Sequence, residues 1–199
     1  NTMKIDESST KNVTAACAKL CGKNRLPRLC SKIVVVEVWT SSNPEKRLQT
    51  LAILDEQSYA TLADPQIFDQ LQVECEQFEY TLKTLGEPQA HRHGRLAHQL
   101  MIKGTQSSHV FSLWNVTECD TIPDSARELG TQKDCGTSNH LKNIRQFLPN
   151  ANRSLQTLIL LGRDASEALK VYEVRNGSEL NQPYAHKTGL GWSLLGPVC

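Results

Sequence analysis

Apolar positions along this chain fall in short runs divided by turn-forming residues, and helical spacing appears only briefly. Ile33, Val34, Val35, Val36, Val38 and Trp39 form a β-branched, aromatic run that predicts a strand. Ser41-Ser42-Asn43-Pro44 predicts a turn. Leu51-Ala52-Ile53-Leu54 predicts a short buried strand that leads straight into Asp55-Glu56-Gln57-Ser58. Asp64-Pro65 sets an N-cap residue before proline at the first helical position, and Ile67, Phe68 and Leu71 follow at helical spacing, so a short amphipathic helix is expected there. Further strands are predicted around Phe78–Leu82, Leu96–Ile102, Val110–Val116, Leu158–Leu161, Val171–Val174 and Trp192–Leu195. A long loop is expected over Asp124–Gly136, and a short helix carrying Leu141, Ile144 and Leu148. Asp164 is expected to cap a helix running from Ala165 towards Lys170. Short strands between turn signals, with one or two brief helices, predict a mainly β, barrel-like domain. Its expected extent is 31–199, behind a polar, cysteine-containing linker over residues 1–30 expected to be disordered.

Composition narrows the partners. With 199 residues and 39% apolar content the chain has enough material for one cored domain and a tail. A formal net charge of +1 argues against a strongly electrostatic partner, so nucleic acid is not expected to bind this domain. The basic, His-rich stretch from His91 to His98 reads as a solvated turn, because no aromatic stacking residues surround it. No run of 18 apolar residues occurs, so no membrane association is expected. The N-terminus lacks the apolar segment of a signal peptide and the cysteine count, seven, is odd. Together these predict a reducing, intracellular setting, taken as cytoplasmic. Cys17-x3-Cys21-x8-Cys30 departs from the Cys-x2-Cys spacing of structural zinc, and a fourth ligand such as His91 or His93 would have to come from far along the chain. No metal or other cofactor is therefore expected.

The chemically informative feature is the apolar run that ends on Asp55. Aspartic peptidases deliver their catalytic carboxylate in this way, at the end of a buried strand. Two such loops face each other, and carboxylates about 3 Å apart cannot both ionise, so they share a proton. The ionised oxygen activates water and the protonated partner hydrogen-bonds the scissile carbonyl. This chain offers one such loop, so Asp55 would have to come from each of two copies in a homodimer. A surface aspartate capping a turn produces the same local pattern. A serine hydrolase built on Ser58 with His140 or His186 is disfavoured, since no Gly-x-Ser-x-Gly elbow occurs.

A series of segments resembles the aspartic peptidase region of BEL/Pao retrotransposon polyproteins, in the same order. They are Leu54-Asp55-Glu56-Gln57-Ser58 with Leu62-Ala63 and Phe68, Tyr80–Thr84, Gly94-Arg95, Glu118–Pro123, His140-Leu141, Leu160–Asp164, Leu190-Gly191-Trp192 and Gly196–Cys199. Cys17–Cys21 and Cys30–Lys32 resemble the stretch just before that domain. The resemblance implies a retropepsin-like fold, a small closed β-barrel forming one half of a dimer, and processing of the element's own polyprotein. It implies that Leu160, Leu161 and Gly162 pack under the aspartate loop, with glycine required by a close backbone approach. A substrate flap is expected over Leu85–His93.

The loop departs from the Asp-Thr/Ser-Gly of most retropepsins, as do related BEL/Pao sequences. Glu56 replaces the hydroxyl residue and adds negative charge beside the pair, which would raise its pKa values or force Glu56 outward. Gln57 replaces the glycine and brings a Cβ into its place, while Ser58 offers a hydroxyl one position late. Two readings follow: an aspartic endopeptidase, or a non-catalytic β-barrel module kept for folding or assembly of the polyprotein or co-opted by a host.

Overall fold

A computed structural model describes residues 28–83, 90–136, 138–150 and 154–198. Its described part is mainly β with few short helices. The first described strand is β1 (Arg28–Cys30), and these three residues, expected in the linker, pair with the last described strand. Cys17 and Cys21 lie outside the described residues, as do 85–89 of the expected flap.

β2 (Ile33–Thr40) and β3 (Asn43–Leu54) form a hairpin. Its turn is tighter than Ser41–Pro44 predicts, because Thr40 already pairs with Asn43. Pro44 tolerates a place in β3 because that exposed end has no second partner strand to receive an N–H. β4 (Leu62–Ala63) leads into α1 (Pro65–Leu71), where Asp64 caps as predicted by accepting from the Gln66 N–H at 2.9 Å, and Ile67, Phe68 and Leu71 are buried. β5 (Cys75–Leu82) and β6 (Ala90–Gly104) form a long hairpin, so Ala90–His93 of the expected flap lie in a strand opposite Glu79–Leu82. β7 (Val110–Glu118) returns along β6, and β8 (Thr157–Leu161) comes much later in the chain.

Hydrogen bonding joins these strands in the order β2-β3-β8-β4-β7-β6-β5, and β2 also pairs with β6. The circuit β2-β3-β8-β4-β7-β6 therefore returns on itself, with β5 appended to β6. Val34, Val36, Val38, Leu54, Leu100, Ile102, Leu113, Ile159 and Leu161 fill the interior, joined by Phe68 of α1. On β2 and β3 the opposite face is covered too, where Ile33 and Leu51 pack with Leu129. Burial on both faces accounts for the unbroken apolar run at Ile33–Val36, which a half-exposed strand would not show.

A second sheet holds β9 (Val171–Arg175), β10 (Tyr184–Thr188) and β11 (Gly191–Val198) in the order β1-β11-β10-β9. Residues Leu141, Ile144, Leu148 and Cys135 pack on it with Trp192 and Leu194. They do not lie on a helix as predicted: Cys135 and Leu141 end the 3-10 turns Gln132–Cys135 and Asn139–Leu141, and Ile144 and Leu148 flank a third, Arg145–Phe147. The expected loop over 124–136 is likewise partly 3-10. Cys30 is buried in this same core, and burial pushes the Cys135 thiol pKa up.

Several segments singled out along the sequence meet in space. The Gly94 backbone lies against the Glu118 carbonyl, where an added Cβ would come within 3.1 Å. The Arg95 guanidinium binds Glu118 and Asp69 and lies over the Phe68 ring at 4.9 Å. Tyr80 donates to the Glu118 carbonyl at 2.9 Å, and its phenol pKa is pushed up to about 12, first by burial and then by Cys119. Among the described residues no helix is long and apolar enough to cross a membrane.

Candidate functional site

β8 lies between β3 and β4, parallel to the first and antiparallel to the second: Leu54 pairs with Leu161, and Leu62 with Leu160. The chain therefore leaves β3 at Leu54, passes over the end of β8 as residues 55–61, and re-enters on the other side. Two backbone bonds of 3.0 Å hold this loop down, from Asp55 N–H to the Leu161 carbonyl and from Arg163 N–H to the Ser58 carbonyl. Leu160 and Leu161 pair with the strands on either side, and Gly162 lies against Ala60 of the loop. A Cβ on Gly162 would lie 2.4 Å from the Ala60 carbonyl oxygen and 2.5 Å from its carbon, so glycine is required by contact with backbone. Its φ is −93°, which any residue adopts, so conformational freedom is not the reason.

Asp164 does not cap the following helix. That segment is a 3-10 turn, Arg163–Ala165, running into α2 (Ser166–Leu169), with no side-chain cap on either. The Asp164 carboxylate instead reaches back to the loop and accepts from the Thr61 N–H at 2.9 Å and the Thr61 hydroxyl at 2.6 Å. The same hydroxyl accepts from the Gly162 N–H at 3.2 Å. Thr61 is buried, so this small network satisfies polar groups that water does not reach.

Asp55 is half-buried at the start of the loop. Its Oδ1 accepts from the Gln57 N–H at 2.8 Å, and its carbonyl accepts from the Ser58 N–H at 3.2 Å. The amide at the third position of the motif thus still reaches the carboxylate although glycine is absent, and the Gln57 side chain is exposed. Glu56 turns outward as one of the two expected outcomes requires. Its carboxylate is 62% exposed and pairs with the Lys32 ammonium. The hydroxyl expected from Ser58 as a substitute is committed elsewhere, donating to the Ala60 carbonyl at 2.8 Å. Tyr59 is exposed, with the Arg163 guanidinium 5.6 Å from its ring centre.

The chain matches no family model and no curated protein. The site is therefore read from its own geometry. Neither described cavity, one beside Gln132 and Arg145 and one between Val34 and Trp192, is lined by residues 55–58. His140 bonds the Pro183 carbonyl through Nε2 at 2.8 Å, and neither it nor His186 is hydrogen-bonded to Ser58. His186 lies near the Lys32–Glu56 pair. Burial, then the Lys32 charge, lower its pKa, and Glu56 opposes them. Its Nδ1 is buried without a hydrogen-bond partner. Sequence reasoning missed the roles of Lys32 and Thr61, both of which act through long-range contacts with no local signature.

Proposed function

We propose that this chain is one subunit of a retropepsin-like aspartic endopeptidase of the BEL/Pao type, with its ring of strands forming a small barrel and Asp55 paired with the Asp55 of a second copy. The observation that carries this reading is the loop of residues 55–61, clamped over the end of β8 with a backbone N–H on the Asp55 carboxylate. That N–H fixes the orientation of the carboxylate before substrate arrives. In the dimer the two carboxylates share one proton, so one oxygen is available to take a proton from water. The water oxygen bonds to the peptide carbonyl carbon as its proton passes to the ionised carboxylate and the other carboxyl protonates the carbonyl oxygen; collapse of the resulting diol breaks the C–N bond, the carboxyl that took water's proton gives it to the departing amine, and a diol hydroxyl returns its proton to the other carboxylate. The substrate is an extended stretch of the element's own polyprotein, held between subunits largely by strand-like backbone pairing.

The test is cleavage of polyprotein junction peptides by the full chain and by Asp55→Asn, with a pepstatin-like inhibitor as control. Cleavage that is lost in the variant and blocked by the inhibitor supports the peptidase. No cleavage by the unaltered chain would favour the assembly module instead, and equal cleavage by both would remove Asp55 from the mechanism.

A further inference from the structure

Glu56 poses a chemical problem for the proposed site, because a carboxylate stands next to Asp55 where most retropepsins carry a hydroxyl. Lys32 answers it. This residue lies in the two-residue link between β1 and β2 and touches the loop twice. Its carbonyl accepts from the Leu54 N–H at 2.9 Å, one residue before Asp55, and its ammonium pairs with Glu56. The cation is the enclosed member of the pair: the Lys32 side chain is 12% exposed against 62% for Glu56. A lysine enclosed to this degree needs a counter-charge, so the pair is kept rather than dispersed into solvent.

We propose that Lys32 is a positioning residue for the Asp55 pair, neutralising Glu56 and holding its carboxylate against the link between the two sheets. This rests on the peptidase reading above. The charged and titratable groups facing Glu56 are Lys32 from that link, His186 from β10 and Asp55 on its own loop. Burial and the Lys32 charge oppose a proton on His186, while Glu56 favours one. Lys32 is therefore the group that decides whether each subunit brings one or two negative charges to the dyad.

The experiment is the pH–rate profile for a junction peptide, using the full chain and Lys32→Gln, Lys32→Arg, Glu56→Gln and the double variant Lys32→Gln/Glu56→Gln. Removing the lysine leaves Glu56 uncompensated and should move the profile upward by about one pH unit. Glu56→Gln should move it downward, the double variant should return it close to the original, and Lys32→Arg should leave it in place. Opposed shifts that cancel are a signature of charge that a general folding defect does not produce. A Lys32→Gln profile identical to the parent, or a double variant that keeps the single variant's shift, overturns the role of Lys32 while leaving the peptidase intact. Absence of Asp55-dependent cleavage in the unaltered chain overturns both.

Discussion

Substituting Gly162 by alanine tests how the aspartate loop is held. The new methyl would sit 2.4 Å from the Ala60 carbonyl oxygen and 2.9 Å from the Ala60 nitrogen. Ordinary contact needs about 1 Å more, and the obstacle is backbone, so no side-chain rotation relieves it. Either the loop or the end of β8 has to move by about that distance. The bonds on either side, Asp55 N–H to Leu161 and Arg163 N–H to Ser58, are 3.0 Å long. Stretching both to about 4 Å loses about 1 kcal/mol each. Overpacking adds about 1 kcal/mol or more, giving a destabilisation of about 3 kcal/mol. Urea denaturation should show an earlier midpoint at unchanged slope. Cleavage should fall by about a hundredfold, because a shift of about 1 Å at the carboxylate disturbs the reacting geometry. A Gly162→Ala chain within about 0.5 kcal/mol of the parent, the ordinary spread of surface substitutions, would refute the close packing of loop on strand.

Other consequences follow from the same structure. Asp164→Ala should cost about 2 kcal/mol by leaving Thr61 unsatisfied, and a double-mutant cycle with Thr61→Val should show coupling of about 1 kcal/mol; independent effects would restore Asp164 to a local helix cap. The folded-state pKa of His186 is lowered, so the unfolded chain takes up that proton first. The stability it contributes is present above about pH 6.5 and lost as pH falls below that value, a dependence that His186→Gln should flatten in denaturation curves between about pH 7 and pH 5. The Tyr80 phenol is raised to about 12, so its contribution is present below about pH 10 and lost as pH climbs through about 12. Tyrosinate absorbance should show one late-titrating group that disappears in Tyr80→Phe.

What the sequence made legible was local. The cap at Asp64, the proline after it and the spacing of Ile67, Phe68 and Leu71 carry all the information needed for α1, because the bond from Gln66 to Asp64 spans two residues. The run Leu158–Leu161 ended by Gly162 was readable for the same reason, and the need for glycine there follows from backbone contact. β10 was missed because its inward positions are Ala185 and Thr188, with His186 and Lys187 between them, so no apolar alternation marks it. The role of Asp164 was misread because the same Gly-Arg-Asp-Ala string suits a helix start, whereas its partner Thr61 lies on the other side of β8. Leu141, Ile144 and Leu148 are buried but not on the expected helix, because a spacing near three residues suits 3-10 turns as well as an α-helix. The outward turn of Glu56 was one of two outcomes left open, and the deciding residue, Lys32, precedes it by a whole hairpin.

The proposed pairing of Asp55 with its copy in a second chain can be tested without any substrate. In a full chain carrying Asp55→Cys, with the exposed Cys75 replaced by serine, mild oxidation should yield a covalent dimer whose cross-linked peptides join position 55 of one copy to position 55 of the other. A disulfide forms only when the two Cα atoms come within about 7 Å, which is the approach that a shared proton demands. Cross-links confined to other cysteines, or a chain that stays monomeric at every concentration tested, would contradict the account.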